Sequence, residues 1–111
     1  IYELDDAEII KRAKNRGWLT ENLTPTTALN RKTAGKIIIR YLNLEQVAQL
    51  QDIYLNSYKD LKKGDDFIGY AAILKGYKIM EGKSSVFSPT ATVNRADAAR
   101  YIYRMSRVNL N

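Results

Sequence analysis

Residues 23–40, LTPTTALNRKTAGKIIIR, align without a gap to residues 87–104, FSPTATVNRADAARYIYR, at an offset of 64. Seven of the eighteen positions are identical: Pro25/Pro89, Thr26/Thr90, Asn30/Asn94, Arg31/Arg95, Ala34/Ala98, Ile38/Ile102 and Arg40/Arg104. Leu23/Phe87, Leu29/Val93 and Lys36/Arg100 are similar in kind. A fixed-offset self-match of this quality marks an internal repeat, in which neighbouring copies bury a shared core.

The match extends upstream at an offset of 59, through Ile9/Ile68, Ala13/Ala72, Gly17/Gly76 and Trp18/Tyr77. The second copy carries five more residues in the loop near Glu81–Ser84. Each unit reads as helix, glycine stop, loop, proline, short extended piece, helix. A first helix is expected from Asp5 or Asp6, both good N-caps, to a stop at Gly17. A second starts at Asn30, with Ala34, Ile37, Ile38 and Tyr41 on one stripe. A connecting helix is expected from Asn43 to Tyr58, with Val47, Leu50, Ile53 and Tyr54 aligned. A fourth runs from Asp65 or Asp66 to Lys75, before Gly76. A fifth runs from Asn94 to about Val108, with Ala98, Tyr101, Ile102 and Met105 in register. No segment alternates as a strand does, so the expected fold is all-α. The organisation reads as a first repeat over 1–43, a connecting helix over 44–57 and a second repeat over 58–108.

Composition narrows the chemistry. The 111 residues include no Cys and no His. Thiol nucleophiles, disulfides, the usual zinc sites and imidazole acid–base catalysis are thereby excluded. No Walker loop, dinucleotide fingerprint or EF-hand loop is present. No enzyme activity, cofactor or metal is expected. The net charge of +6 favours an anionic partner. Lys11, Arg12, Lys14 and Arg16 cluster on the first helix, but the basic residues do not line one helix face, so nucleic acid is not the expected partner. No apolar run reaches the roughly 18 residues that span a bilayer. The chain opens at Ile1 without an initiator Met, as a piece of a longer protein does.

The second copy resembles an S-layer homology repeat. Tyr58-Lys59-Asp60 matches the opening aromatic-x-Asp of that family. Tyr70-Ala71-Ala72-Ile73-Leu74-Lys75-Gly76 matches its Tyr- and Ala-rich helix, Gly82 its second glycine and Phe87-Ser88-Pro89 its Phe-x-Pro. Val93-Asn94-Arg95-Ala96-Asp97-Ala98 stands where the family has hydrophobic-Thr-Arg-Ala-Glu-Ala. The first copy is more degenerate. It has Leu23-Thr24-Pro25 and Leu29-Asn30-Arg31-Lys32-Thr33-Ala34, but no aromatic-x-Asp at Tyr2-Glu3-Leu4 and no second loop glycine. The resemblance implies an exported bacterial surface module, often three repeats in a pseudo-threefold helical prism. It implies binding of anionic, often pyruvylated, secondary cell-wall polysaccharide in grooves between repeats, with the signature arginine central. A third repeat, on this chain or another, is then an expected partner.

The residues carry a physical logic of their own. Asn94 and Asp97 form the Asn-x-x-Asp of a capping box, while Thr33 at the matching place weakens the first one. Arg31 and Arg95 fall at the first helical position, where a cation is disfavoured by a few tenths to about 1 kcal/mol. Its recurrence asks for a cause. One is an anion held between the guanidinium and free helix N–H groups; the other is a structural pairing with a carboxylate such as Asp60. The candidate ligand-binding set is therefore Arg31, Arg95, Asn30, Asn94, Lys32, Trp18 and Tyr77. The two aromatics stack on sugar or plug the core, and Lys32 adds a cation or is simply solvated. A protein–protein or self-assembly role on the same scaffold, with glycan binding lost, is the alternative.

Overall fold

The computed structural model describes residue 11 and residues 14–17, 29–50 and 52–108. Among these, the helices are α1 (Arg31–Tyr41), α2 (Glu45–Ala48), α3 (Ile68–Gly76) and α4 (Arg95–Ser106). The all-α expectation holds: among the described residues the only β pairings are isolated antiparallel bridges, Asn30 with Thr92 and Lys83 with Val86. Of the expected first helix, Lys14 and Asn15 are helical and Gly17 takes a φ of +78°, as a stop requires. Its start lies outside the described residues.

The two matched stretches fold alike. Each helix follows an extended Asn N-cap, Asn30 (φ −95°, ψ 168°) or Asn94 (φ −92°, ψ 176°), whose side chain accepts from the third helical N–H. Only Asn94 has the reciprocal bond, from its own N–H to Asp97, because Thr33 replaces the acid in the first copy.

Helices α1 and α3 end in the same six-residue motif. Asn43 (φ 61°) and Lys78 (φ 59°) take the left-handed position. Their N–H groups reach back to Arg40 and Lys75, and the next residues, Leu44 and Ile79, bond to Ile39 and Leu74. This corrects two expectations. Gly76 is the last helical residue, and the left-handed turn comes two residues later. Asn43 is the turn after α1 and not the cap of a long helix.

The expected connecting helix over 44–57 is only one turn, α2. Asp52 sits at φ 63°, outside helical space, and Asn56 folds its side chain onto the backbone, accepting from Tyr58 N–H and donating to the Leu61 carbonyl. These local bonds compete with helix. Val47, Leu50 and Ile53 are exposed accordingly. In α3 the start shifts to Ile68, since Asp65 uses its carboxylate to hold Phe67 N–H in the preceding turn. Helix α4 ends two residues before Val108, at Ser106.

The core lies where α1 crosses α3. Phe67, Phe87, Ile39, Leu74, Ile79 and Met80 are fully buried. Phe87 meets Phe67 edge-on at 5.2 Å and Tyr58 edge-on at 5.3 Å, and Phe67 stacks on Tyr70 at 5.6 Å. The buried stripe of α1 is Ala34, Gly35, Ile38 and Ile39, so Tyr41 faces out against expectation. In α4 only Tyr101 is buried, and Ile102 is exposed. Arg40, Glu45 and Tyr70 tie α1, α2 and α3 together: Glu45 accepts from Arg40 at 2.7 Å and from Tyr70 at 2.8 Å.

Candidate functional site

The two copies join where the strand-like piece before α1 meets the loop before α4. Val93 N–H donates to Leu29 O, Arg31 N–H to Ala91 O and Lys32 N–H to Pro89 O, at 2.7, 2.9 and 2.8 Å. Together with Asn30, which accepts from Thr33 and Ala34, this satisfies the whole first turn of α1. No free N–H group is left there for an outside anion.

Arg31 itself is bound by the second copy. Its Nε donates to Phe87 O at 2.9 Å, one terminal nitrogen to Tyr101 Oη at 2.7 Å and the other to Glu81 O at 3.0 Å. The guanidinium lies 4.6 Å from the centre of the Phe87 ring. The planar fork suits this combination of three acceptors and a ring face. The expected structural partner was a carboxylate; the acceptors found are two backbone carbonyls and a phenol. Asp60 is close enough for Arg31 to act on it electrostatically, but its carboxylate accepts from Phe87 and Ser88 N–H, at 2.9 and 2.8 Å. Burial opposes its ionisation, yet these amides and Arg31 outweigh burial and hold Asp60 below the usual aspartate value.

The motif residues of the second copy converge on this loop. Tyr58 accepts from Gly82 N–H through its hydroxyl at 3.2 Å and packs on Phe87, while Asp60 holds the Phe87–Ser88 backbone. Gly82 is needed for steric reasons. A Cβ there would lie 2.7 Å from the Tyr58 ring and collide with the Val86 carbonyl.

Arg31 lines an open cleft of about 720 Å³ between this loop and α4. That volume is within the range of ligand sites. Its basic lining is Arg31, Lys83, Arg100 and Arg104, against Glu81 and Asp97. Arg100 pairs with Asp97 at 3.1 Å. The cleft is therefore net cationic. A second cavity, about 360 Å³, is lined by Asp52, Asp65, Asp66 and Lys63 and suits an anionic polymer poorly.

The remaining expected site residues are dispersed. Arg95 is exposed, and among the described residues its side chain has no hydrogen-bond or ionic partner. The backbone N–H groups of Arg95 and Ala96 likewise have no acceptor among those residues. Asn30 and Asn94 use their side-chain oxygens as caps. Lys32 is half-buried beside the junction. Tyr77 is 42% exposed at the end of α3 and does not line the cleft. Trp18 lies outside the described residues. Sequence reasoning missed Lys83, Arg100, Tyr101 and Arg104. The repeat alignment held part of the signal, because basic residues recur at 36/100 and 40/104.

Among the described residues, no helix is long and apolar enough to cross a membrane. No curated protein and no solved structure matches the chain. The family model of the S-layer homology domain matches residues 57–99, which run from the residue before Tyr58 into α4. Domains of this family are cell-surface modules that bind cell-wall polysaccharide and are not enzymes. The aromatic-x-Asp, second glycine and Phe-x-Pro that meet around Arg31 all fall within that stretch, so residues 57–99 of the chain match the S-layer homology domain.

Proposed function

We propose that this chain is a non-covalent anchor of the bacterial cell surface that binds an anionic, pyruvylated secondary cell-wall polysaccharide. In this reading residues 1–43 and 58–108 are tandem repeats, with 44–57 between them, and the protein is exported. The observation that carries it is the net-cationic cleft at the junction of the copies, with Arg31 in its lining. Arg31 has three of its five N–H groups in use, so two remain to meet a carboxylate. Arg95, with its free helix-start N–H groups, offers a second such place. Asn30 and Asn94 shape the two helix starts, Lys32 adds charge, and Trp18 and Tyr77 supply faces for sugar rings.

The test is a pulldown of the chain with purified pyruvylated wall polysaccharide, beside the same polymer after mild acid removal of its pyruvate. Retention of the first and not the second is expected. A folded chain that retains neither overturns the reading.

One observation favours a second role on the same scaffold. Matched positions of the two copies differ sharply in exposure: Ile38 is 8% exposed and Ile102 61%, Ile39 is 0% and Tyr103 61%. Helix α1 is covered by the second copy, and the equivalent face of α4 is not. A third repeat, from this chain or another, would cover it and would supply carbonyls to Arg95 as the second copy does to Arg31. Together the three units would close a pseudo-threefold prism. A self-assembling chain that binds no glycan would make this docking its main role.

A further inference from the structure

We infer that the cleft holds a second anion-binding subsite, formed by Arg100 and Arg104 on α4 with Lys83 of the same lining, and that its ligand carries two acidic groups per binding site. This rests on the anchor reading above. The four-residue spacing sets Arg100 and Arg104 about 6 Å apart along the helix axis, on the face that holds Asp97 and Tyr101. Tyr101 Oη accepts from Arg31, so this helix face adjoins the Arg31 guanidinium.

The two copies use these cations differently. In the first copy, Lys36 lies over the Tyr70 ring at 5.7 Å and Arg40 is paired with Glu45 at 2.7 Å, so both serve the fold. Their counterparts Arg100 and Arg104 are exposed on the cleft wall. Among the described residues, the side chain of Arg100 pairs with Asp97 alone and that of Arg104 reaches the Ile79 carbonyl alone, at 3.5 Å, a weak bond. With Lys83 also exposed in the lining, the four cations of the cleft, Arg31 included, outnumber its two carboxylates, Glu81 and Asp97. One acidic group of the ligand sits on the open N–H groups of Arg31, and the next lies along Arg100 and Arg104. Repeated acidic substituents on a sugar chain meet that demand; an isolated monoanion meets half of it.

The test is titration of the chain with purified pyruvylated wall polysaccharide, for the parent and for Arg100→Gln/Arg104→Gln, Arg100→Lys/Arg104→Lys and a charge-matched control, Lys62→Gln/Lys63→Gln. The glutamine pair is expected to lose tenfold or more in affinity and to flatten its salt dependence. The lysine pair and the control are expected to stay within threefold of the parent. In the parent, the Arg100 and Arg104 Nε resonances should shift on titration, a readout independent of any variant's folding. A parent that binds nothing overturns the anchor reading and this inference with it. A parent that binds while the glutamine pair binds equally, or loses no more than the control, overturns this inference alone.

Discussion

The Nε of Arg31 donates to the carbonyl of Phe87 at 2.9 Å, and the same guanidinium rests 4.6 Å from the Phe87 ring. One residue of the first copy thus grips both the backbone and the side chain of the loop that defines the second. Arg95, at the matching place, grips nothing among the described residues. Of two arginines matched in sequence, one is thus built into the fold and the other stands outside it.

Substitution should separate the two. Arg31→Ala removes three charge-assisted bonds and leaves the Phe87 and Glu81 carbonyls without their donor. Such a loss is expected to lower stability by about 2–4 kcal/mol. Arg31→Lys should recover only part, since a single ammonium cannot span three separated acceptors. Arg95→Ala should change stability by less than about 0.5 kcal/mol. Urea midpoints of the three variants check this, and equal effects at 31 and 95 would contradict it.

Gly82→Ala tests why the loop needs a glycine. The added methyl would lie 2.7 Å from the Tyr58 ring and against the Val86 carbonyl, so the turn must open. Overpacking of this kind is expected to cost about 1–3 kcal/mol. Gly76→Ala is the control: a Cβ there meets nothing within 4 Å, and Gly76 is helical without a left-handed φ. That change should be neutral or slightly stabilising in a thermal melt.

The all-α class, the two asparagine caps, the capping box at Asn94 and the junction arginine were legible because each is a local signal: a cap, a glycine, a repeated dipeptide. The connecting helix was misread because its apolar spacing is helical while its backbone is set by Asp52 and Asn56, whose side-chain and left-handed preferences override periodicity. The stripe of α4 was misread for a different reason. Ile102 follows the same spacing as its first-copy partner Ile38, yet burial depends on a neighbour that periodicity does not encode. The Arg100 and Arg104 wall was hidden likewise: recurring cations at 36/100 and 40/104 do not reveal that one pair is absorbed by Tyr70 and Glu45 and the other is not.

Acid should loosen the junction. Burial works against ionisation of both Asp60 and Glu45. The amides of Phe87 and Ser88 outweigh it at Asp60, and the donors of Arg40 and Tyr70 outweigh it at Glu45, so both carboxyls titrate below their usual values. A carboxyl with a lowered folded pKa contributes stability that is complete above its unfolded pKa and is lost as pH falls through the folded one. Stability should thus be flat from neutral pH down to about 5 and decline below about pH 4, where free Asp and Glu protonate. Asp60→Asn should lower stability at pH 7 and make the decline between pH 4 and pH 2 shallower. An unchanged slope in that variant would remove Asp60 from the account.

A last pair of substitutions weighs the uncovered face of α4. Ile38 is 8% exposed and packs in the shared core, so Ile38→Ala is expected to cost about 2–4 kcal/mol. Ile102, at the same place in the repeat, is 61% exposed, and Ile102→Ala should cost less than about 0.5 kcal/mol in the isolated chain. If a third repeat docks on α4, the symmetry returns once it is present. Ile102→Ala would then weaken the assembly as Ile38→Ala weakens the chain, and Tyr103→Ala would do the same. Unfolding the variants with and without an added repeat separates the cases: a cost at Ile102 that appears only in the assembly supports docking on this face, and one that stays near zero in both states places the third unit elsewhere.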